Sequence, residues 1–289
     1  MSTSFIELYQ GYKRQFRKKS QMLKTALTYL KHREAWKERA GLSSVALPAN
    51  DTQVLEKLRR DNFHPANDLV DQNLLAELQA AAEKLIVGAE QAPRSANKNF
   101  WSQLLSRDLE VDNIFVRFAL QERILKLVGA YFGESPFLHN LNLFASFGTN
   151  NETWQDSQLW HQDHADAKIL KLWVYVTDVL TPAEGPFTYL PGHASKKVPN
   201  PFQQRVSDET MAELGFDKQS VAVMGPKSTC FLIDTRHCYH QGSRVEFGHK
   251  RIAYAATYVS FASSSGTGNQ VKKGNSNLSR LQYLTLSRT

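Results

Sequence analysis

Cysteine is nearly absent. Only Cys230 and Cys238 occur in 289 residues, too few for a disulfide framework, which points to a reducing compartment and to two small buried side chains. No apolar run approaches the roughly 18–20 residues of a membrane-spanning helix. Residues Met1 to Gln10 hold no basic stretch followed by an apolar one, so no secretory signal is expected and a cytoplasmic location is the default. No internal repeat is visible. What is present is an ordinary globular balance of 42% hydrophobic and 22% charged residues. That balance excludes a wholly disordered or collagen-like chain, and the length suits one main fold with additions.

The formal charge of +7 is unevenly placed. Residues 1–40 carry ten Lys or Arg against three acids, and residues 261–289 carry Lys272, Lys273, Arg280 and Arg288 with no acid. The stretch between them is mildly acidic. A basic surface over the whole molecule is therefore excluded, and any docking to a polyanion belongs to the ends.

Apolar residues at three- and four-residue steps (Phe5, Leu8, Tyr12, Phe16, Leu23, Leu27, Leu30) predict a basic amphipathic helical segment over 1–40. A break follows from Gly41 to Pro48. Helical patterns return over 51–60, 69–87 and 116–131. From about 137 the texture becomes short β-rich runs separated by turn residues: 137–147, 157–163, 169–179, 186–190, 221–224, 229–233, 239–244 and 252–261. Such spacing predicts a β-sandwich or barrel rather than alternating β/α units. The Ser/Gly/Asn/Lys composition of 263–277 predicts a mobile tail, with 278–286 able to dock back on the body.

Metal-ligand side chains cluster in Leu159-Trp-His-Gln-Asp-His-Ala-Asp-Ala. In an extended strand, residues two apart share a face, so His161 and Asp163 can grip one ion together. A third ligand must come from another strand, and His240, in Cys-Tyr-His-Gln-Gly, is the candidate. Two histidines and one carboxylate on one face of an iron leave three positions open, which suits bidentate 2-oxoglutarate and dioxygen. Arg251 stands eleven residues after His240, and a guanidinium fork can bind a far carboxylate in a way that lysine cannot. Taken alone, an H-x-D triplet is also what a solvated surface turn looks like. His237 is an alternative third ligand, and a zinc set of Cys230, His237, Cys238 and His240 has a spacing that matches no compact zinc pattern.

From about Leu138 to Ser260 the sequence resembles the phytanoyl-CoA dioxygenase superfamily of Fe(II)/2-oxoglutarate oxygenases. The likeness is carried by Trp160-His-Gln-Asp, by Leu172-Trp-Val-Tyr-Val-Thr-Asp-Val, by Gly185-Pro-Phe-Thr-Tyr-Leu-Pro-Gly-His193, by His240-Gln-Gly and by Arg251. The resemblance implies iron held by His161, Asp163 and His240, with 2-oxoglutarate bound by Arg251. It favours His240 over His237, since the following glycine and the arginine offset both fit. Relatives that halogenate lack the carboxylate ligand, so Asp163 implies hydroxylation. It also implies a mainly β fold with helical additions, a double-stranded β-helix (jelly-roll, cupin-like) barrel with the N-terminal helices packed outside. On this reading 1–40 is the basic helical segment, 49–262 the oxygenase domain with its barrel at about 137–261, and 263–289 a basic polar tail. The chain departs from the family in Pro191-Gly192-His193, one residue short, and in Gly225-Pro226, so secondary contacts to 2-oxoglutarate stay unassigned.

The substrate is less marked. His164 and Lys168 are candidate substrate contacts, set against ordinary solvated roles. Lys171 could reach an anion or simply sit at a strand edge. The basic helix suggests an anionic substrate, small or lipid-linked, and an anionic membrane surface contacted through residues 1–40 at the cytoplasmic face. The leading expectation is the Kdo sugar of lipopolysaccharide, by general likeness to Kdo 3-hydroxylases. An acyl-CoA or soluble metabolite is the alternative, and a non-catalytic jelly-roll binding module is the reading of a different class. Nucleic acid is disfavoured, because the demethylases of this fold resemble each other in a second arginine six residues after the first, where this chain has Thr257.

Overall fold

The computed structural model describes residues 20, 23–90, 101–148, 154–198, 205–242, 244–266, 268–274 and 276–288. The basic run from Lys13 to Lys19 lies outside them. The strands are β1 (Phe63–Pro65), β2 (Trp101–Gln103), β3 (Asp108–Glu110), β4 (Phe137–Phe147), β5 (Ile169–Tyr175), β6 (Phe187–Tyr189), β7 (Val221–Val223), β8 (Cys230–Ile233), β9 (His240–Gln241), β10 (Lys250–Val259) and β11 (Gln270–Lys272). An antiparallel six-stranded sheet runs β1-β8-β5-β10-β4-β2 and a smaller one runs β7-β6-β9. Among the described residues none of the sheets closes into a barrel, so the architecture is one of open, mainly antiparallel sheets with helices packed beside them.

Side-chain alternation explains how the large sheet is covered on both faces. On β5, Leu170, Leu172 and Val174 point to one side; on β10, Ile252, Tyr254, Ala256 and Tyr258 do the same. That side packs on the helices Ala49–Asp61, Gln72–Glu90, Ile114–Ala119 and Glu122–Phe132. The opposite side presents Trp173, Tyr175, Phe231, Ala253 and Ala255 to Phe187 and Tyr189 of the small sheet. A strand buried on both faces reads as a nearly continuous apolar run, as β5 and β10 do.

Several expected elements are redrawn. The helix expected over 116–131 is two helices, because Gln121 is extended (φ −60°, ψ 124°) and caps the second. Tyr258 donates its hydroxyl hydrogen to the Ala119 carbonyl (2.7 Å) at the end of the first, which satisfies a carbonyl that a continuous helix would have used. The strand expected at 157–163 is a 3-10 turn, Asp156–Gln158, followed by single bridging residues Trp160 and His161. The tail is partly ordered. Within it, β11 pairs in parallel with β3, and helix Arg280–Thr285 buries Leu281 and Leu284. The helix Arg33–Ser43 extends past the expected linker start at Gly41 and turns Arg39 fully inward.

Candidate metal centre

The two histidines meet through their backbones. His161 donates its N–H to the His240 carbonyl (2.9 Å) and His240 returns the bond (2.8 Å), while Asp163 donates to the Thr235 carbonyl (2.9 Å). This short bridge places His161 and Asp163 beside His240, the relation that the two-residue spacing suggested. One ligand atom from each of the three lies within 4.8 Å of the others.

The ring orientations suit a metal. Nδ1 of His161 is 2.8 Å from the Leu159 carbonyl and Nδ1 of His240 is 3.1 Å from the Cys238 carbonyl. A carbonyl can only accept, so each Nδ1 carries the proton and each Nε2 lone pair is turned the other way. Both Nε2 atoms stand 3.9 Å from the same oxygen, Asp163 Oδ1. Burial, with the neighbouring His240 second, pushes the His161 imidazole down to about 3. Burial likewise pushes His240 down to about 4, partly offset by Asp163. Both rings are therefore neutral near pH 7, as ligands must be. Burial alone would raise the Asp163 carboxyl, but Lys171 and the two histidines outweigh it and hold it below the usual carboxylate range.

Lys171 contributes what the sequence left undecided. Its ammonium donates to Asp163 Oδ2 at 2.7 Å, which leaves Oδ1 facing the histidines and makes Asp163 a one-oxygen donor. The signal was present in Ile-Leu-Lys-Leu-Trp-Val-Tyr, where alternation puts Lys171 on the same face as Trp173 and Tyr175. A strand-edge lysine would not share that inward face.

Arg251, at the start of β10, is buried and donates from Nη1 to the Gly185 carbonyl (2.6 Å). Gly185 sits at φ +66°, where a β-carbon would also collide with the 244–245 backbone. Gly242 gives the guanidinium room, since a β-carbon there would stand 3.4 and 3.6 Å from its two terminal nitrogens. The three ligands and Arg251 line a cavity of about 360 Å³ between the sheets, with Phe144, Trp173 and Phe187 as apolar walls. Arg205 and Lys171 also line it, and no sequence pattern singled out Arg205.

The candidate substrate contacts lie elsewhere. Lys168 donates to the Phe132 carbonyl (2.7 Å) and pairs with fully buried Glu134 (3.2 Å), so its charge serves the fold. His164 accepts from Arg236 (2.7 Å). Neither lines the cavity. His237 turns to Asp234 (2.8 Å) and is half-exposed. Cys230 packs on the helix side of the sheet and Cys238 in the core between the sheets, so no zinc set forms from them.

No family model matches this sequence, and no curated protein matches it. Solved structures do. The epimerase SnoN, in complex with Fe3+, alpha ketoglutarate and nogalamycin RO, is 19% identical over 80% of this chain and 93% of its own, with a TM-score of 0.53. EctD from S. alaskensis, with 2-oxoglutarate and 5-hydroxyectoine, is 17% identical over 75% of this chain and 77% of its own, with a TM-score of 0.52. AviO1 from Streptomyces viridochromogenes Tue57 is 16% identical over 76% of this chain and all of its own, with a TM-score of 0.50. At these identities the likeness is one of fold, and the fold is that of structures which include a non-heme alpha ketoglutarate dependent enzyme.

Proposed function

We propose that the chain is a non-heme Fe(II)/2-oxoglutarate-dependent dioxygenase that hydroxylates a C–H of an anionic substrate, and that its facing sheets correspond to a double-stranded β-helix of the phytanoyl-CoA dioxygenase kind. One observation carries this reading: two imidazoles and one carboxylate oxygen converge on the same cavity wall that a buried arginine lines. The donor set fits iron, for two imidazole nitrogens and one carboxylate oxygen on the cavity wall would hold it there. Iron, when bound, supplies activation of dioxygen coupled to oxidative decarboxylation of 2-oxoglutarate to succinate. His161 and His240 would hold the iron through Nε2 and Asp163 through Oδ1. Lys171 fixes the other Asp163 oxygen. Arg251 takes the far carboxylate of 2-oxoglutarate, and Phe144, Trp173 and Phe187 keep water from the reacting C–H.

The substrate reading is an anion small enough, or with an end small enough, for this cavity. The Kdo sugar of lipopolysaccharide is the first candidate to test, and an acyl-CoA or a small soluble acid the alternative. A binding module with no chemistry has no need of a full donor set and a buried arginine. The helical residues 23–31 hold Leu23, Leu27 and Leu30 exposed beside Lys24 and Lys31, while Tyr29 packs on Phe261. That arrangement supports docking to an anionic membrane surface. Because Arg39 is buried, Leu23→Ser with Leu30→Ser is the variant to float with anionic vesicles. Retained flotation would sink the docking idea.

The function is tested by succinate release with Fe(II), 2-oxoglutarate and a panel of lipid-linked sugars, acyl-CoAs and free acids. Wild-type protein is expected to release succinate in an iron-dependent way. An Asp163→Ala variant that did so at the wild-type rate would overturn the reading.

A further inference from the structure

The cationic groups on the cavity wall are not equivalent. Lys171 is committed to Asp163 Oδ2. Arg251 donates to the Gly185 carbonyl and, on the reading above, serves 2-oxoglutarate. Arg244, close by in sequence to β9, is paired with Asp208 and bonded to the Gln158 carbonyl, and it does not line the cavity. Arg205 differs from all of them. It is partly buried and lines the cavity with His161, Asp163, Asp156 and Ser157, and among the described residues it has no hydrogen bond and no ion pair.

Its position is nonetheless fixed. The next residue, Val206, exchanges both backbone hydrogen bonds with Trp160 (2.8 and 3.0 Å), the residue before the first metal ligand. Arg205 is thus held on the same short ladder that presents His161. Burial lowers the Arg205 guanidinium below its ordinary range, with Asp156 and Asp163 partly opposing. A half-buried guanidinium with no hydrogen bond among the described residues carries a partial desolvation cost that an incoming anion would recover. Its planar fork matches a carboxylate or a phosphate with two parallel bonds.

We infer that Arg205 is the recognition residue for a carboxylate or phosphate group of the primary substrate, so that the cavity binds two anions side by side. Arg251 holds the cosubstrate and Arg205 holds the substrate, with the Ser157 hydroxyl as a further donor at the same wall. This inference rests on the proposed function and names the chemistry of its second ligand. The cavity, at about 360 Å³, is near the low end for a ligand pocket. It suits 2-oxoglutarate with a small acid or the anionic end of a larger molecule. Asp156, exposed at the rim, disfavours a second negative group there and so selects for how the substrate enters.

The test uses full-length protein loaded with Mn(II) and 2-oxoglutarate, which does not turn over. Inorganic phosphate and propionate are titrated separately by calorimetry against wild type, Arg205→Gln, Arg205→Lys and Arg251→Gln. Wild type is expected to bind at least one probe, and whichever binds tells phosphate from carboxylate recognition. Arg205→Gln is expected to weaken that probe at least ten-fold with 2-oxoglutarate affinity unchanged within two-fold, and Arg205→Lys to recover part of it. Arg251→Gln is expected to weaken 2-oxoglutarate instead. If wild type binds neither probe, or Arg205→Gln binds as wild type does, the inference is overturned. A parallel loss of 2-oxoglutarate in Arg205→Gln also overturns it, by assigning the residue to the cosubstrate. Failure of wild type to bind 2-oxoglutarate at all would sink the proposed function, a separate and distinguishable result.

Discussion

Among the described residues two arginines, Arg39 and Arg251, are almost fully buried, and they sit in contrasting surroundings. Arg39, in the helix Arg33–Ser43, donates to the carbonyls of Ser135 (3.3 Å), Pro136 (3.5 Å), Leu284 (2.9 Å) and Ser287, and its guanidinium lies 4.9 Å from the centre of the Phe261 ring. It stitches an N-terminal helix to the C-terminal one. Arg251 is as deeply buried, yet it opens on a cavity beside the metal-ligand cluster. The difference teaches how to tell architecture from function among buried charges. When carbonyls of the fold ring the guanidinium, the charge holds the chain together. When the charge lines a space, it is held for something that enters.

The strongest way to break this contrast is to remove a ligand outright. Asp163→Ala is expected to abolish iron-dependent succinate release and to leave Lys171 without its partner, which iron titration and turnover would check together. Next comes the seam. Arg39→Ala removes a charged donor from four carbonyls, of which, among the described residues, Leu284 alone is seen to keep a backbone partner, and is expected to cost about 3–5 kcal/mol of stability, measured by urea unfolding, while the folded fraction keeps its affinity for 2-oxoglutarate. Arg251→Lys should do the reverse. Loss of the fork is expected to raise the Michaelis constant for 2-oxoglutarate by roughly ten- to a hundred-fold, with the unfolding midpoint nearly unmoved. Equal stability losses in the two variants would erase the distinction.

Acid sharpens the same comparison. His161 and His240 are held down at about 3 and about 4, chiefly by burial, whereas in the unfolded chain a histidine titrates near ~6.5. Between those values the unfolded state binds protons that the native state refuses. Stability of the metal-free protein should therefore fall as pH drops from about 6.5 toward 4, by up to about 1.4 kcal/mol per pH unit for each histidine. Burial pushes Arg39 down only to about 10, so the seam adds nothing in that window. Urea midpoints at pH 7, 6 and 5 measure the slope, and His240→Ala should flatten it. The smallest effect belongs to Gly242→Ala, whose added methyl would press on the Arg251 guanidinium at 3.4 Å. A few-fold weakening of 2-oxoglutarate with iron binding intact is expected.

Much of the site could be read along the chain, and for a definite reason. His161 and Asp163 are marked by a two-residue spacing, which is a local property of an extended chain, whereas His240 is preferred to His237, and Arg251 picked out, because the following glycine and the arginine offset resemble a known family's pattern. Lys171 was half legible: its alternation with Trp173 was in the sequence, but the partner it meets is not. Arg205 was invisible, because nothing in Phe-Gln-Gln-Arg-Val-Ser distinguishes it from any loop arginine. The misread elements follow the same rule. The carbonyl freed at the helix break near Gln121 is met by Tyr258, more than a hundred residues away, and β11 finds its partner in β3.

The basic ends show the division between the two levels most plainly. Sequence alone established that the positive charge is partitioned, that the central body is β-rich, and which side chains are equipped to hold a metal. Only the tertiary structure decided that Arg39 of those basic ends is turned into the fold and ringed by carbonyls, that Arg280 stays exposed while pairing with Glu38 at 2.5 Å, and that Lys168 pairs with Glu134. Only it showed that Arg205 lines the same cavity as the metal-ligand side chains. Charge and ligand type are properties of a residue. Whether a charge meets carbonyls, a carboxylate or an open space is a property of what packs against it, and that is set by contacts between segments far apart in the chain.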